Sequence, residues 1–376
     1  MVGRLRVWFS SDCPARIPLS AVRRKAALAG IVLPGLLSLF CYAGSGERSK
    51  ADASRIDGTF LQLFNSHQDW SAEDWRRLFD EFSTMQVSRI VVQWSVSDDL
   101  AFFASKTFQH GPNPPLETIL GMADARGMKV QVGLWHDPGY WGNVAGPPQA
   151  VEVYLRRARL RATAIADELA PSMAGHTSFE GWYISEEIDD TNWVEPAKRK
   201  ILKEHLESLS TALHLAAPKA SVSLSCFSNA RMDPASLETF WRSMLAGSSV
   251  DRLMFQDGIG AHKLELEYLA PYLSAIKRAA TASERDLSVI VEVFDQTGGP
   301  GLDDGVFKAV PAPLARIEKQ ITLAAEFAGP DIVAFSVPEY MTPAAGDASR
   351  NLLEGYLRKY VRKESPRAAT QPAVLP

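Results

Sequence analysis

Residues 179–187 read FEGWYISEE. Taken as a β-strand, the run sets Trp182 and Ile184 on one face, and Gly181, Tyr183, Ser185 and Glu187 on the other. The first set is apolar and suits a face covered by helices. The second would point into the interior of a closed sheet. At its C-terminal end two carboxylates, Glu186 and Glu187, arrive together. Helix-periodic segments lie on both sides, at Pro148–Ala170 before the run and Glu195–Ala216 after it.

The same unit recurs along the chain. Strands are expected at Gly58–Phe64, Arg89–Trp94, Lys129–Trp135, Phe179–Ser185, Ser221–Phe227, Arg252–Gln256, Leu287–Phe294 and Asp331–Val337. Helices are expected between and after them, at Ser71–Met85, Pro115–Arg126, Pro234–Leu245, Lys263–Ala282, Ala312–Phe327 and Arg350–Arg362 in addition to the two above. Ser71 with Glu73 and Asp74 reads as a helix start, and Gly127 as a helix stop. Eight β–α units in about 300 residues predict an α/β protein built as a single (β/α)₈ TIM barrel. A doubly wound open sheet is the alternative, but no Gly-rich phosphate loop follows the first strand. No internal repeat or inter-domain linker interrupts the pattern.

Active sites of such barrels lie at the C-terminal ends of the strands. Polar residues collect there: Gln62 in the first strand, Gln93 and Trp94 in the second, Trp135, His136 and Asp137 in the third. Glu186 and Glu187 end the fourth, Ser228 and Asn229 the fifth, Gln256 and Asp257 the sixth; Glu292 lies late in the seventh, and Glu339 and Tyr340 follow the eighth. Glu292 is flanked by Val291 and Val293 inside an apolar run, where solvation alone does not account for a carboxylate. A buried ion pair is the competing structural explanation. Strands four and seven lie across the ring from each other. Two inward carboxylates so placed suit glycosidic cleavage, in which one protonates the leaving oxygen and the other attacks the sugar or activates water. Trp94, Trp135, Tyr140, Trp141, Trp193 and Tyr340 all fall at or just beyond strand ends and could stack on sugar rings. Gln62, Gln93, Asn229 and Gln256 offer planar amides to hydroxyls.

The formal charge is −4 with both signs mixed along the chain, and no basic stripe suggests nucleic acid. Arg23, Arg24 and Lys25 precede an apolar run from Ala26 to Cys41, with small residues at Ala43, Gly44 and Gly46. This predicts a signal peptide over 1–43 and an exported protein, periplasmic or extracellular; an uncleaved segment would serve as an anchor and be the only membrane contact. A linker over 44–57, a barrel over 58–362 and a disordered tail over 363–376 complete the expected organisation. Cleavage would remove Cys13 and Cys41 and leave Cys226 alone, so no disulfide and no cysteine metal site is expected.

The segments GTFLQLFNSHQDWSAEDWRRLFDEF, RIVVQWSV, GWYISEEID, FQDGIG and VEVFDQ together resemble a bacterial family catalogued as a domain of unknown function. That family is regarded as TIM-barrel glycoside hydrolases distantly similar to clan-A retaining glycosidases. The resemblance spans Gly58 to Tyr360. It implies Glu187 as acid/base and Glu292 as nucleophile, with Glu186 standing where clan-A enzymes carry an Asn that holds the substrate's 2-hydroxyl.

The expected function is therefore hydrolysis of an extracytoplasmic oligo- or polysaccharide, without a cofactor. Two other readings compete. One is a non-catalytic carbohydrate-binding barrel associated with exopolysaccharide handling. The other is a metal-dependent hydrolase or deacetylase on the same fold, with His136, Asp137, Asp257, His262 and Glu339 as candidate ligands. The seven histidines include no His-x-His or His-x-x-x-His pair, which weighs against metal.

Overall fold

Short runs dominated by Val, Ile, Leu and aromatic residues pair as parallel strands because both of their faces can be buried. The computed structural model describes residues 54–303 and 305–362. Its strands β1 (Gly58–Leu61), β2 (Arg89–Val92), β3 (Lys129–Gly133), β4 (Phe179–Ile188), β5 (Ser221–Cys226), β6 (Arg252–Gln256), β7 (Asp286–Glu292) and β8 (Ile332–Phe335) form a closed barrel. Closure is made by β8 pairing with β1, Gly58 opposite Val333 and Thr59 opposite Ala334. The fold is a single (β/α)₈ barrel, as the strand count predicts.

Around it run α1 (Ala72–Thr84), α2 (Leu116–Asp124), α3 (Pro148–Met173), α4 (Pro196–Ala216), α5 (Pro234–Leu245), α6 (Leu269–Ala282), α7 (Leu314–Ala328) and α8 (Asp347–Tyr356). Local chemistry sets their starts. Ser71 accepts from Asp74 N–H, and Asp74 accepts in return from Ser71 N–H at 3.0 Å, a reciprocal cap. Pro148, Pro196 and Pro234 occupy first-turn positions where no N–H is needed. Gly127 takes φ +65° just after α2, a conformation open to glycine.

Inside the barrel, polar side chains are paired rather than solvated. Ser223 Oγ donates to Gln131 Oε1 at 2.7 Å, and the Tyr183 hydroxyl shares a 2.6 Å hydrogen bond with Ser225. Tyr183 also meets Phe60 edge-on, with centroids 5.5 Å apart. Across the N-terminal end, Arg89 bonds Glu180 at 2.9 Å and Asp331 at 2.8 Å, and Arg252 reaches Asp331 at 3.0 Å. These contacts tie β2, β4, β6 and β8 together at the face away from the strand-end carboxylates.

Several boundaries differ from the sequence expectation. The expected signal segment, most of the expected linker and the expected tail lie outside the described residues. The barrel already holds the chain at Ile56, which is fully buried and donates its N–H to the Tyr356 hydroxyl at 2.9 Å, so the linker does not extend to residue 57. The helix expected from Lys263 begins at Leu269 instead. Residues 258–262 form a turn closed by Lys263 N–H donating to Gly258 O at 2.8 Å, with φ +66° at Gly258. The seventh strand stops at Glu292, and Phe294–Gly298 pairs antiparallel with Lys308–Pro311 as a hairpin above the barrel.

Candidate active site

Strict alternation would send Glu186 to the helices and Glu187 to the barrel interior. The structure departs from it at this point. β4 and β5 keep register from Gly181 to Ile184, then slip, so that Ile188 rather than Glu186 faces Cys226. Ser185 is drawn sideways: its hydroxyl donates to Gln93 O at 2.8 Å and accepts from Leu134 N–H at 3.0 Å. The irregularity re-aims the strand end, as such bulges do. Glu186 and Glu187 both line one cleft, shared with Gln93, Trp94, Trp135 and His136. Tyr140, Trp141 and Tyr154 complete its wall.

Glu187 is held from two sides. Gln256 on β6 donates its amide to Glu187 Oε1 at 2.8 Å, and the Tyr140 hydroxyl donates to the Glu187 carbonyl at 2.8 Å. Glu292, at the end of β7, is 1% exposed. Its Oε2 accepts the backbone N–H of Ala261 at 2.7 Å, while its Oε1 is buried without a hydrogen-bond partner. That contact requires Gly260: a Cβ there would sit 2.4 Å from Phe294 O and 2.9 Å from Glu292 Cβ.

Burial sets the electrostatics. It pushes the Glu187 carboxyl above the ordinary range, with Lys263 and the Gln256 amide pulling it back. Burial raises Glu292 too, against Lys263, the Ala261 N–H and Arg316, and the charge of Glu187 adds to the rise. Glu186 is lifted to about 7 by burial and by Asp137. Glu339, beyond β8, is also raised to about 7 by burial, while its bond from Ser336 opposes the shift. Burial lowers His136 to about 4, so its ring is neutral where it stacks on Trp94 at 4.3 Å.

Other expected site residues fall as follows. Gln62 is buried and does not line the cleft; it donates to the cleft residue Gln93 at Oε1, 2.7 Å away. Tyr340 packs on Phe294 with centroids 5.3 Å apart, beside Glu292 and Glu339. Asp257 is not a cleft residue: it is fully buried, and its Oδ2 accepts from Gln320 of α7 at 2.5 Å. Its Oδ1 accepts Ile259 N–H at 3.2 Å and Glu292 N–H at 3.3 Å. It therefore braces the backbone under Glu292 rather than meeting a ligand. Burial and the charge of Glu292 raise it to about 7. Asn229 is likewise committed elsewhere, its amide donating to Thr191 Oγ1 at 3.1 Å and its N–H to Asp190 at 2.8 Å. Trp193 does not belong to the aromatic rim, since it is wholly buried beneath Lys198.

The sequence reading missed four contributors: Tyr154, Lys263, the Ala261 N–H and Gln320. Tyr154 sits mid-way through a helical repeat, with nothing local to separate it from a core residue.

A family model described as a domain of unknown function (DUF4434) matches residues 56–347. The uncharacterized protein YbcH of Escherichia coli (strain K12) is 28% identical over 295 residues, covering 77% of this chain and 92% of that protein. Among solved structures, one described as a candidate alpha-L-fucosidase from Bacteroides thetaiotaomicron VPI-5482 superposes with a TM-score of 0.67 at 17% identity, covering 85% of this chain and 99% of that one. The endo-beta-1,4-mannanase from Thermotoga petrophila superposes with a TM-score of 0.54 at 14% identity, covering 84% and 78%. At these identities the likeness is one of fold.

Proposed function

The chain belongs to the DUF4434 family, and we propose that it is a glycoside hydrolase, cleaving an oligo- or polysaccharide outside the cytoplasm with retention of configuration. The observation that carries this reading is the pair of buried carboxyls on β4 and β7, each steadied through one oxygen by a fixed donor. Gln256 holds Glu187 and the Ala261 N–H holds Glu292. In this reading Glu187, raised by burial, protonates the departing oxygen and later deprotonates water. Glu292 attacks the anomeric carbon through Oε1, and Lys263, the Ala261 N–H and Arg316 favour its anion. Gln93, Trp94, Trp135, His136 and Glu186 position the sugar. The fucosidase and mannanase descriptions of the fold neighbours favour the same chemistry, and the basic and apolar segment before residue 44 favours export.

The test is hydrolysis of a glycan panel by the purified chain, with the first-formed anomer followed by proton NMR. Release of the retained anomer supports the reading. An inverted product would make Glu292 a base rather than a nucleophile. Binding without turnover across the panel would favour the carbohydrate-binding alternative.

A further inference from the structure

Glu186 brings a carboxyl into the cleft that no basic side chain on its wall offsets. Its side chain is 7% exposed, and its Oε1 is buried without a hydrogen-bond partner. His205 Nε2, on α4, stands 3.9 Å away, beyond hydrogen-bond reach. That ring is held neutral, since burial lowers it to about 4. Asp137 lies close enough on the same wall for its charge to act on Glu186. Its own donors are all neutral: Gly139 N–H at 2.8 Å, Asn143 Nδ2 at 3.3 Å and the Tyr154 hydroxyl.

No lysine or arginine lines this cleft among the described residues. The cations nearby serve other partners. Arg161 bonds Asp99 and the Asp98 carbonyl, Arg157 lies over the Trp135 ring at 5.5 Å and acts on Tyr154, and Lys263 acts on Glu187, Glu292 and Asp189. The rest of the wall is aromatic, with Trp141 and Tyr154 turned to the same space.

We propose that this cleft takes a sugar bearing a free primary amine, its ammonium seated between Asp137 and Glu186. An ammonium brings three N–H donors and one positive charge, which are what the buried Glu186 and the half-buried Asp137 lack on this aromatic wall. An N-acetyl group offers one donor and no charge, and a hydroxyl offers one donor. Either would leave a carboxylate buried beside its neighbour without compensation. A uronate or sulfated sugar would be repelled. The inference rests on the glycosidase reading only in treating the cleft as the sugar subsite beside Glu187.

The probes are matched trisaccharides in gluco and galacto configuration, β-1,4- and β-1,6-linked, each as free amine, N-acetyl and hydroxyl forms. They are titrated at pH 6.5 into the full chain carrying Glu292→Gln, so binding is read without turnover. The free-amine member of at least one set should bind about tenfold or more tighter than its two partners. That margin, read as the ratio of amine to hydroxyl affinity within each variant, should shrink in 0.5 M salt and vanish in Glu186→Gln or Asp137→Asn. Equal or tighter binding of the N-acetyl or hydroxyl forms, an amine margin that survives both substitutions, or no binding by any amine form would overturn the proposal. Amine-selective binding together with failure of the wild-type chain to hydrolyse any probe would instead sink the glycosidase reading and leave this one standing.

Discussion

The backbone N–H of Ala261 donates to Oε2 of Glu292 over 2.7 Å, so the two oxygens of that carboxylate are unlike: one is tied to the β6–α6 turn, the other is buried and free. The free oxygen is the one expected to meet the anomeric carbon. Glu292→Gln keeps the shape but removes the nucleophile, and should cut kcat on the order of 10⁴-fold or more while sugar binding persists. Steady-state kinetics beside a binding titration checks this. Wild-type turnover in the variant would show that the nucleophile lies elsewhere.

Glu187→Gln should discriminate between leaving groups. A natural glycan needs a proton on its departing oxygen and should lose ~10²–10⁴-fold in kcat/KM, whereas an activated aryl glycoside should lose far less in its first step. The comparison is one variant on two substrates. Equal losses on both would remove Glu187 from the acid role.

At Gly260 the backbone leaves no room for a side chain beside Glu292. Gly260→Ala forces a methyl against Phe294 O and Glu292 Cβ, and should cost about 1–3 kcal/mol of stability. Because the displaced carboxylate is the proposed nucleophile, kcat should fall by a larger factor than thermal stability alone accounts for. Melting curves and kinetics on the same preparation separate the two effects.

Glu186 makes stability depend on pH in a defined direction. Its folded-state value, about 7, lies above the ordinary carboxyl value of 4.5. Below about pH 4 both folded and unfolded chains hold the proton, and burial carries no ionisation penalty. Between about pH 4.5 and 7 the unfolded chain releases the proton first, so this group lowers stability as pH rises, and the effect levels off above 7. Glu186→Gln should therefore be near neutral at pH 4 and stabilising at pH 8, by at most roughly 3 kcal/mol. Its kinetic cost should stay below that of Glu187→Gln or Glu292→Gln. Denaturant curves at the two pH values give the sign directly.

Export is checked by fractionation. The mature chain is expected outside the cytoplasmic membrane with its first residue between about Ala43 and Ala53. Full-length protein in the cytosol would contradict this, and full-length protein in the membrane fraction would point to an anchor.

Much of this molecule is legible from the period of its side chains. The runs at 179–187 and 287–294 alternate clearly enough that the sequence alone sets Glu187 and Glu292 on the inward face. The same rule, carried one residue further, separates Gln256 from Asp257: neighbours in a strand face opposite ways, and Asp257 goes to α7 and Gln320. Grouping both as site residues overlooked that alternation. At Glu186 the rule misleads instead, because the slipped register with β5 turns the strand end and brings adjacent carboxylates to one wall. Such a slip depends on pairing with another strand and leaves no local mark. Tyr154, Lys263 and the Ala261 N–H reach the site through helix docking and turn geometry, which are equally non-local.

The hydrogen bond from Ile56 to Tyr356 fixes a polarity for the whole particle. The described chain enters the barrel beneath β1, where Asp57 N–H pairs with Ile332 O at 2.8 Å, on the face that carries the arginine–aspartate cluster. The cleft opens on the other face. Residue 54 therefore lies at the floor of the barrel, on the face opposite the cleft. Immobilisation through the N-terminal side should leave glycan access unobstructed.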